Sequence, residues 1–208
     1  MASNSSKLTV SSAGLALLLT LFSASTLALT EFSADVTYLD AAQNHQRYGR
    51  LYVSDDAIRE ERYHEVDQKA YEVKIIDLFR GVTLRADLQR GEYQQLNEVV
   101  TMPRNPAQFC AEAPLLSCGF QQRERLQQRV VERWAAELGF SSLSIEITAW
   151  YDPEIQYPVR LQMSDGETLQ LSNVEVGRLP SATFSLPFDL RRVAKLEGIA
   201  VDNFSLWP

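Results

Sequence analysis

The feature that most constrains this chain is an apolar–polar alternation that returns in short segments along most of its length. Phe32, Ala34, Val36 and Tyr38 alternate with Ser33, Asp35 and Thr37, and Leu51 and Val53 alternate with Arg50 and Tyr52. Tyr71, Val73 and Ile75 alternate with Glu72 and Lys74; Val82, Leu84, Ala86 and Leu88 alternate with Thr83, Arg85 and Asp87. A period of two sends alternate side chains to opposite faces of a strand, so these segments predict half-buried strands. Polar Asp40–Gln46, then Asp55-Asp56 and Arg90-Gly91, supply the turns. Ile58–His64 is charged enough to be an exposed strand, and Tyr93–Val100 is placed to pair back. Short strands at this spacing predict an antiparallel meander.

The middle of the chain reads differently. Thr101–Ser117 holds Pro103, Pro106 and Pro114 and is a connection. Over Gln121–Leu138 the spacing predicts a helix: Leu126, Val130, Trp134 and Leu138 fall four apart, with Val131 and Ala135 beside them and Glu124, Arg125, Arg129, Glu132 and Arg133 opposite. Gly139 stands where a helix ends, and one apolar stripe means packing on the sheet. Strands then resume. Leu143, Ile145 and Ile147 lead to Trp150; Tyr157, Val159, Leu161 and Met163 follow; Asp165-Gly166 is a hairpin signal before Leu169–Val176. Strands, a crossing helix and more strands make an α+β, antiparallel architecture.

The N-terminus carries Lys7, an apolar run from Ala13 to Phe22 and small residues up to Thr26-Leu27-Ala28. These are the three parts of a secretory signal, and the run is too short for an ordinary membrane span. We expect residues 1–28 to be a cleaved signal peptide and 29–208 a single exported, periplasmic domain, not membrane-spanning after cleavage. Cys110 and Cys118 are the only cysteines. In an oxidising compartment a close pair of this kind forms a disulfide, which stabilises by roughly 2–3 kcal/mol for so short a loop. The formal charge of −7 becomes −8 once Lys7 is removed, with 19 Lys+Arg against 27 Asp+Glu. Such a chain repels nucleic-acid backbones, so no nucleic-acid partner is expected.

No catalytic constellation is visible, and no enzyme activity, cofactor or metal is expected. His45 lies in a polar turn and His64 in a charged strand, neither beside a positioned nucleophile. Asp55, Asp56, Glu60 and Glu61 cluster without the spacing of a calcium loop, and interleaved Arg59 and Arg62 account for them as ion pairs. Tyr48, Tyr52, Tyr71, Tyr93, Trp134 and Trp150 fit a packed core as readily as a ligand cavity.

Three pieces of the chain carry a resemblance. The first is Phe32-Ser-Ala-Asp-Val, then Gly49-Arg-Leu-Tyr-Val-Ser54 and a charged strand with Arg59 and Glu60. The second is Tyr71-Glu-Val-Lys-Ile-Ile76, then Gly81–Leu88 and Tyr93. The third is Trp150, Tyr157-Pro-Val-Arg160, Asp165-Gly166 and Phe184-Ser-Leu-Pro187. Together they resemble the superfamily of the outer-membrane lipoprotein carrier and its receptor. That resemblance implies an incomplete, half-open antiparallel β-barrel with a helix packed over its concave face. It also implies an apolar concavity that accepts acyl chains, lipids or lipoprotein segments. Where the carrier has a basic residue after its second strand, this chain has Ser54-Asp55-Asp56.

The expected function is therefore a periplasmic binding protein, carrier or sensor, for an apolar or acylated ligand. The candidate cavity residues are Val36, Leu51, Val73, Ile75, Leu84, Ile145, Val159 and Leu161, closed over by Leu126, Val130 and Trp134. The alternative is a non-enzymatic envelope interaction protein or accessory subunit whose cavity is filled by its own side chains.

Overall fold

The structure, a computed structural model, describes residues 30–42, 44–64, 69–97, 105–112, 116–140 and 143–197. The expected signal peptide lies outside the described residues. The strands are β1 (Phe32–Leu39), β2 (His45–Val53), β3 (Ala57–Tyr63), β4 (Ala70–Asp77), β5 (Val82–Asp87) and β6 (Glu92–Leu96). After helix α1 (Pro106–Glu112) come β7 (Leu116–Leu126), β8 (Arg129–Phe140), β9 (Leu143–Asp152), β10 (Tyr157–Met163), β11 (Thr168–Val176) and the short β12 (Arg191–Arg192).

All twelve strands belong to one sheet, in the order β12-β6-β5-β4-β3-β2-β1-β11-β10-β9-β8-β7, with β12 and β7 at its ends. The sheet is an open one, not closed into a barrel. Two meanders build it. β1 to β6 run hairpin after hairpin, β7 to β11 do the same, and β1 joins them by pairing with both β2 and β11. Neighbours are antiparallel except β12, which lies parallel to β6. The chain leaves the first meander at β6 and re-enters the sheet at β7, the far end. Asn105 starts α1 on this crossing by accepting the Ala107 N–H at 2.9 Å through its side-chain oxygen, the usual N-cap arrangement. The expected disulfide is present: Cys110 on α1 is bonded to Cys118 on β7, with S–S 2.04 Å and Cα–Cα 5.7 Å. The crosslink ties the end of the crossing to the outermost strand.

The strand assignments of the first meander and of β9–β11 follow the alternation in the sequence. The helix expected over Gln121–Leu138 is replaced by the β7–β8 hairpin, with Leu126 paired to Arg129 across two loop residues. Four is a multiple of two, so Val130 and Trp134 share one side of β8 just as they would share one side of a helix. Gln127 and Gln128 form the loop at φ 48° and 70°, both left-handed. A two-residue turn with both φ positive suits the twist of a hairpin but usually carries Asn-Gly. The Gln-Gln pair gives no turn signal, which is why the break between strands was not legible. Among the described residues the α-helix is α1, and it lies against β7 rather than across the sheet.

Replacing Gln127-Gln128 by Asn-Gly should relieve left-handed strain and raise stability by about 1–2 kcal/mol, read as a higher urea midpoint at unchanged slope. An unchanged or lower midpoint would contradict this loop geometry.

Candidate binding surface

Residues paired across neighbouring strands share a side of the sheet, so the registers sort the side chains into two faces. One face carries Phe32, Ala34 and Val36 of β1, Leu51 and Val53 of β2, Ile58 of β3 and Ile76 of β4. Leu169 and Leu171 of β11 and Leu161 of β10 continue it on the other side of β1. All but Leu161 are buried, and they form one apolar cluster with Val159, Ile155 and Tyr157. The Tyr157 ring meets Phe32 edge-on at 5.3 Å. This is the core face.

Its apolar character ends on β3, β4 and β5. There Glu60, Arg62, Glu72, Lys74, Arg85 and Asp87 point to the same side. Glu72 is buried and accepts hydrogen bonds from Arg62 Nη1 at 3.0 Å and from Arg85 Nε. Burial works against the Arg62 charge, but the Glu72 carboxylate and neighbouring Tyr38, Tyr71 and Glu60 outweigh it and raise its pKa. Two guanidiniums around one carboxylate satisfy a charge that would be costly to bury alone.

The opposite face is covered at β4 and β5 by the C-terminal strap, 177–197. Val73, Ile75 and Ala86 lie on this face and are buried. The strap is fastened at its start by Glu31, which takes the Gly177 N–H on its carbonyl (3.0 Å) and the Leu179 N–H on its carboxylate (2.6 Å). Arg59 holds its middle by donating from Nη1 to the carbonyls of Thr183 (2.9 Å) and Ser185 (3.0 Å). The β12–β6 pairing holds its end. Glu61 orients Arg59 at 2.7 Å and accepts the Tyr63 hydroxyl. Burial, that hydrogen bond and the Glu61 charge all push the Tyr63 pKa up. Two clefts follow the strap. One of about 650 Å³ is lined by Glu31, Asp55, Asp56, Arg178 and Phe184. The other, of about 480 Å³, runs between Tyr52, Arg59 and the segment 182–188.

The eleven candidate residues do not line one surface. Val36, Leu51, Val159 and Leu161 belong to the core cluster or pack against it, and all but Leu161 are buried. Val73, Ile75 and Leu84 point to the strap side. Trp134 shares the core-face side and is partly buried against Phe120, at 5.6 Å edge-on, while Val130 is half exposed. Leu126 ends β7 and packs against the core cluster. Of Ile145 only the backbone, in β9, is described. Neither Val130 nor Trp134 closes over the sheet, because both are part of it. The two-sided use of β4 was hidden because alternation gives period but not side, and the strap has no periodicity of its own.

The carboxylate cluster separates in the same way. Asp55 and Asp56 are exposed in the β2–β3 turn, Glu60 points to the core face and Glu61 to the strap. Among the described residues no three metal-ligating side chains converge. His64 is exposed, stacked on Tyr71 at 4.3 Å and bonded to the Gln89 amide at 3.0 Å.

No family model and no curated protein matches the chain. Solved structures do. The chain is similar to PNGF-II in a P21 crystal form (10% identity, 79% of this chain and 32% of that one, TM-score 0.49). It is similar to MucB in complex with MucA(peri) (12% identity, 79% of this chain and 57% of that one, TM-score 0.52). It is also similar to a LolA superfamily protein from Nitrosomonas europaea (8% identity, 76% of this chain and 91% of that one, TM-score 0.38). The chain thus spans about a third of the PNGF-II chain and a little over half of MucB. The lipoprotein-carrier resemblance read from the sequence reappears among these solved structures, as a likeness of fold.

Two outcomes follow from this geometry. Burial first, then the charges of Glu132 and Asp152, push the Tyr151 pKa up to about 12 from 10.0. The folded state holds its proton more tightly than the unfolded one. The resulting stability is full below pH 10 and is lost as pH rises through about 12. Tyr52 and Tyr63 shift in the same direction. Urea midpoints should fall across that window, and less steeply in Tyr151→Phe; equal slopes would contradict this placement. Arg59→Ala should cost about 2–3 kcal/mol by removing charged hydrogen bonds, and should speed proteolysis within the strap. Unchanged cleavage there would mean Arg59 does not hold it.

Proposed function

We propose that this protein is an exported, periplasmic binding protein that holds an apolar ligand as carrier or sensor. The ligand class is an acyl chain, a lipid or a lipoprotein segment, and no chemistry is performed on it. One observation carries the reading: an apolar face runs unbroken from β10 through β11, β1 and β2 to β3, in a sheet that stays open. A closed barrel or a second sheet would commit such a face to a permanent core. An open sheet can exchange part of that cover for a ligand, and desolvation supplies the affinity. The charged array around Glu72 borders this face and suits an amphipathic ligand lying across both.

A second reading is supported by the end of the sheet. β7 is an 11-residue terminal strand, and Phe120 on it is half exposed. Such an edge can accept a strand from another protein. MucB, of similar fold, was solved with MucA(peri), so an envelope protein is the natural partner class in this case.

Native mass spectrometry of protein purified from the periplasm without detergent separates the two. The expected outcome is a stoichiometric apolar ligand, lost in Leu161→Glu while the β-sheet circular dichroism persists. Protein that is empty as purified and takes up no fluorescent fatty acid would overturn the first reading in favour of the second.

A further inference from the structure

Three strands of the second meander carry a cationic row on the side away from the core face. Register sets Arg133 of β8 opposite Trp150 of β9, and Trp150 opposite Arg160 of β10. The indole therefore stands between two guanidiniums, whose Cζ atoms lie 5.3 Å (Arg133) and 4.7 Å (Arg160) from its ring centre. The ring is held in place: its Nε1–H donates to Glu124 Oε1, and Glu124 also accepts the Gln122 amide at 3.1 Å.

What sets this row apart is its charge balance. Arg50, Arg59, Arg62, Arg85, Arg123 and Arg129 each have a carboxylate partner. Arg133 and Arg160 have none among the described residues, and the Nε of each is buried without a hydrogen-bond acceptor. This occurs in a chain with 27 acidic residues against 20 basic ones, where a carboxylate partner would be the common solution. A cation–π contact explains why the guanidiniums lie flat against the indole, but a ring neutralises no charge. The neighbouring positions on this face are neutral: Gln170 is opposite Arg160, and Gln162 is opposite Thr148.

We propose that the Arg133–Trp150–Arg160 row is a binding site for an oxyanion of the phosphate type, carried either by a lipid head group or by a free phosphate ester. Each guanidinium is a planar fork with N–H groups left over after stacking, the geometry that takes phosphate oxygens in pairs. The indole fixes both forks in advance, which lowers the ordering cost of binding. The site lies on the face opposite the apolar surface, so it stands or falls independently of the carrier reading.

The test is calorimetric titration with inorganic phosphate, together with co-sedimentation with vesicles of phosphatidylcholine, alone or mixed with phosphatidylglycerol. Wild-type protein is expected to bind phosphate or the anionic vesicles, more weakly as salt rises. Arg160→Gln and Arg133→Gln should each weaken binding by about tenfold or more, the loss of a charged hydrogen bond. Arg125→Gln, a change at an exposed arginine on β7, should leave it unaltered. Binding of phosphate by itself assigns the site to free esters; binding of anionic vesicles without phosphate assigns it to head groups. Thermal midpoints identify any variant that fails to fold, and either arginine suffices for the comparison. Failure of wild type to bind either probe, equal binding by the variants, or an equal loss in Arg125→Gln would overturn the proposal.

Discussion

The rest of the sheet depends on β1. Its residues pair on one side with β2, as Phe32 with Val53 and Ala34 with Leu51, and on the other with β11, as Val36 with Leu171 and Tyr38 with Leu169. Take that strand away and two separate meanders remain, each with a free edge and half an apolar face. Burial explains why it holds: Phe32 and Ala34 are fully buried, with Leu51 and Val53 beside them. On the reverse side Arg50 reaches Ser33, Asp35 and Glu175 at 3.3, 3.7 and 3.2 Å, spanning three strands. Those contacts are partly exposed and screened, so they add orientation more than stability. The β1–β11 contacts are remote in sequence, and closing so long a loop before they form makes the joining of the meanders the slow step of folding.

An open sheet has two faces to cover, and this one covers them differently. On β1, β2, β10 and β11 one face is apolar and forms the core. On β4 the sides are used together: Ile76 joins the core, while Val73 and Ile75 face the strap. The strap is tethered by Glu31 at one end, Arg59 in the middle and strand pairing at the other end. Most of these tethers are bonds to its backbone, which lets a segment without an alternating pattern lie on a sheet. Buried charge is handled by pairing at Glu72 and at Asp152, which is held by Arg129. The row around Trp150 is where that rule is relaxed.

Much of this was legible in the residues. Alternation located β1 to β5 and β9 to β11, Asp165-Gly166 marked the hairpin where Gly166 sits at φ 92°, and the two cysteines announced their bond. The β7–β8 hairpin was not legible. Val130, Trp134 and Leu138 satisfy the periods of strand and helix alike, and Gln127-Gln128 lacks the residues that normally mark a tight turn. Of the candidate cavity residues, those on β1, β2 and β10 fell together on the core face, whereas Val73, Ile75 and Leu84 fell on the other. Nothing in a period of two says which side of a strand meets which layer.

The sequence by itself determined that this chain alternates, where its tight turns with Gly fall, and that its cysteines lie close enough to join. These are local properties, set by side-chain pattern and by backbone preferences within a few residues. Only the tertiary structure decided that β1 would join two meanders and that β7 and β8 would be strands. It alone placed a non-periodic strap under β4 and two arginines against one indole without a counter-charge. Each of those outcomes depends on residues far apart in the chain, whose contacts exist only after the sheet has fixed its register and its two sides.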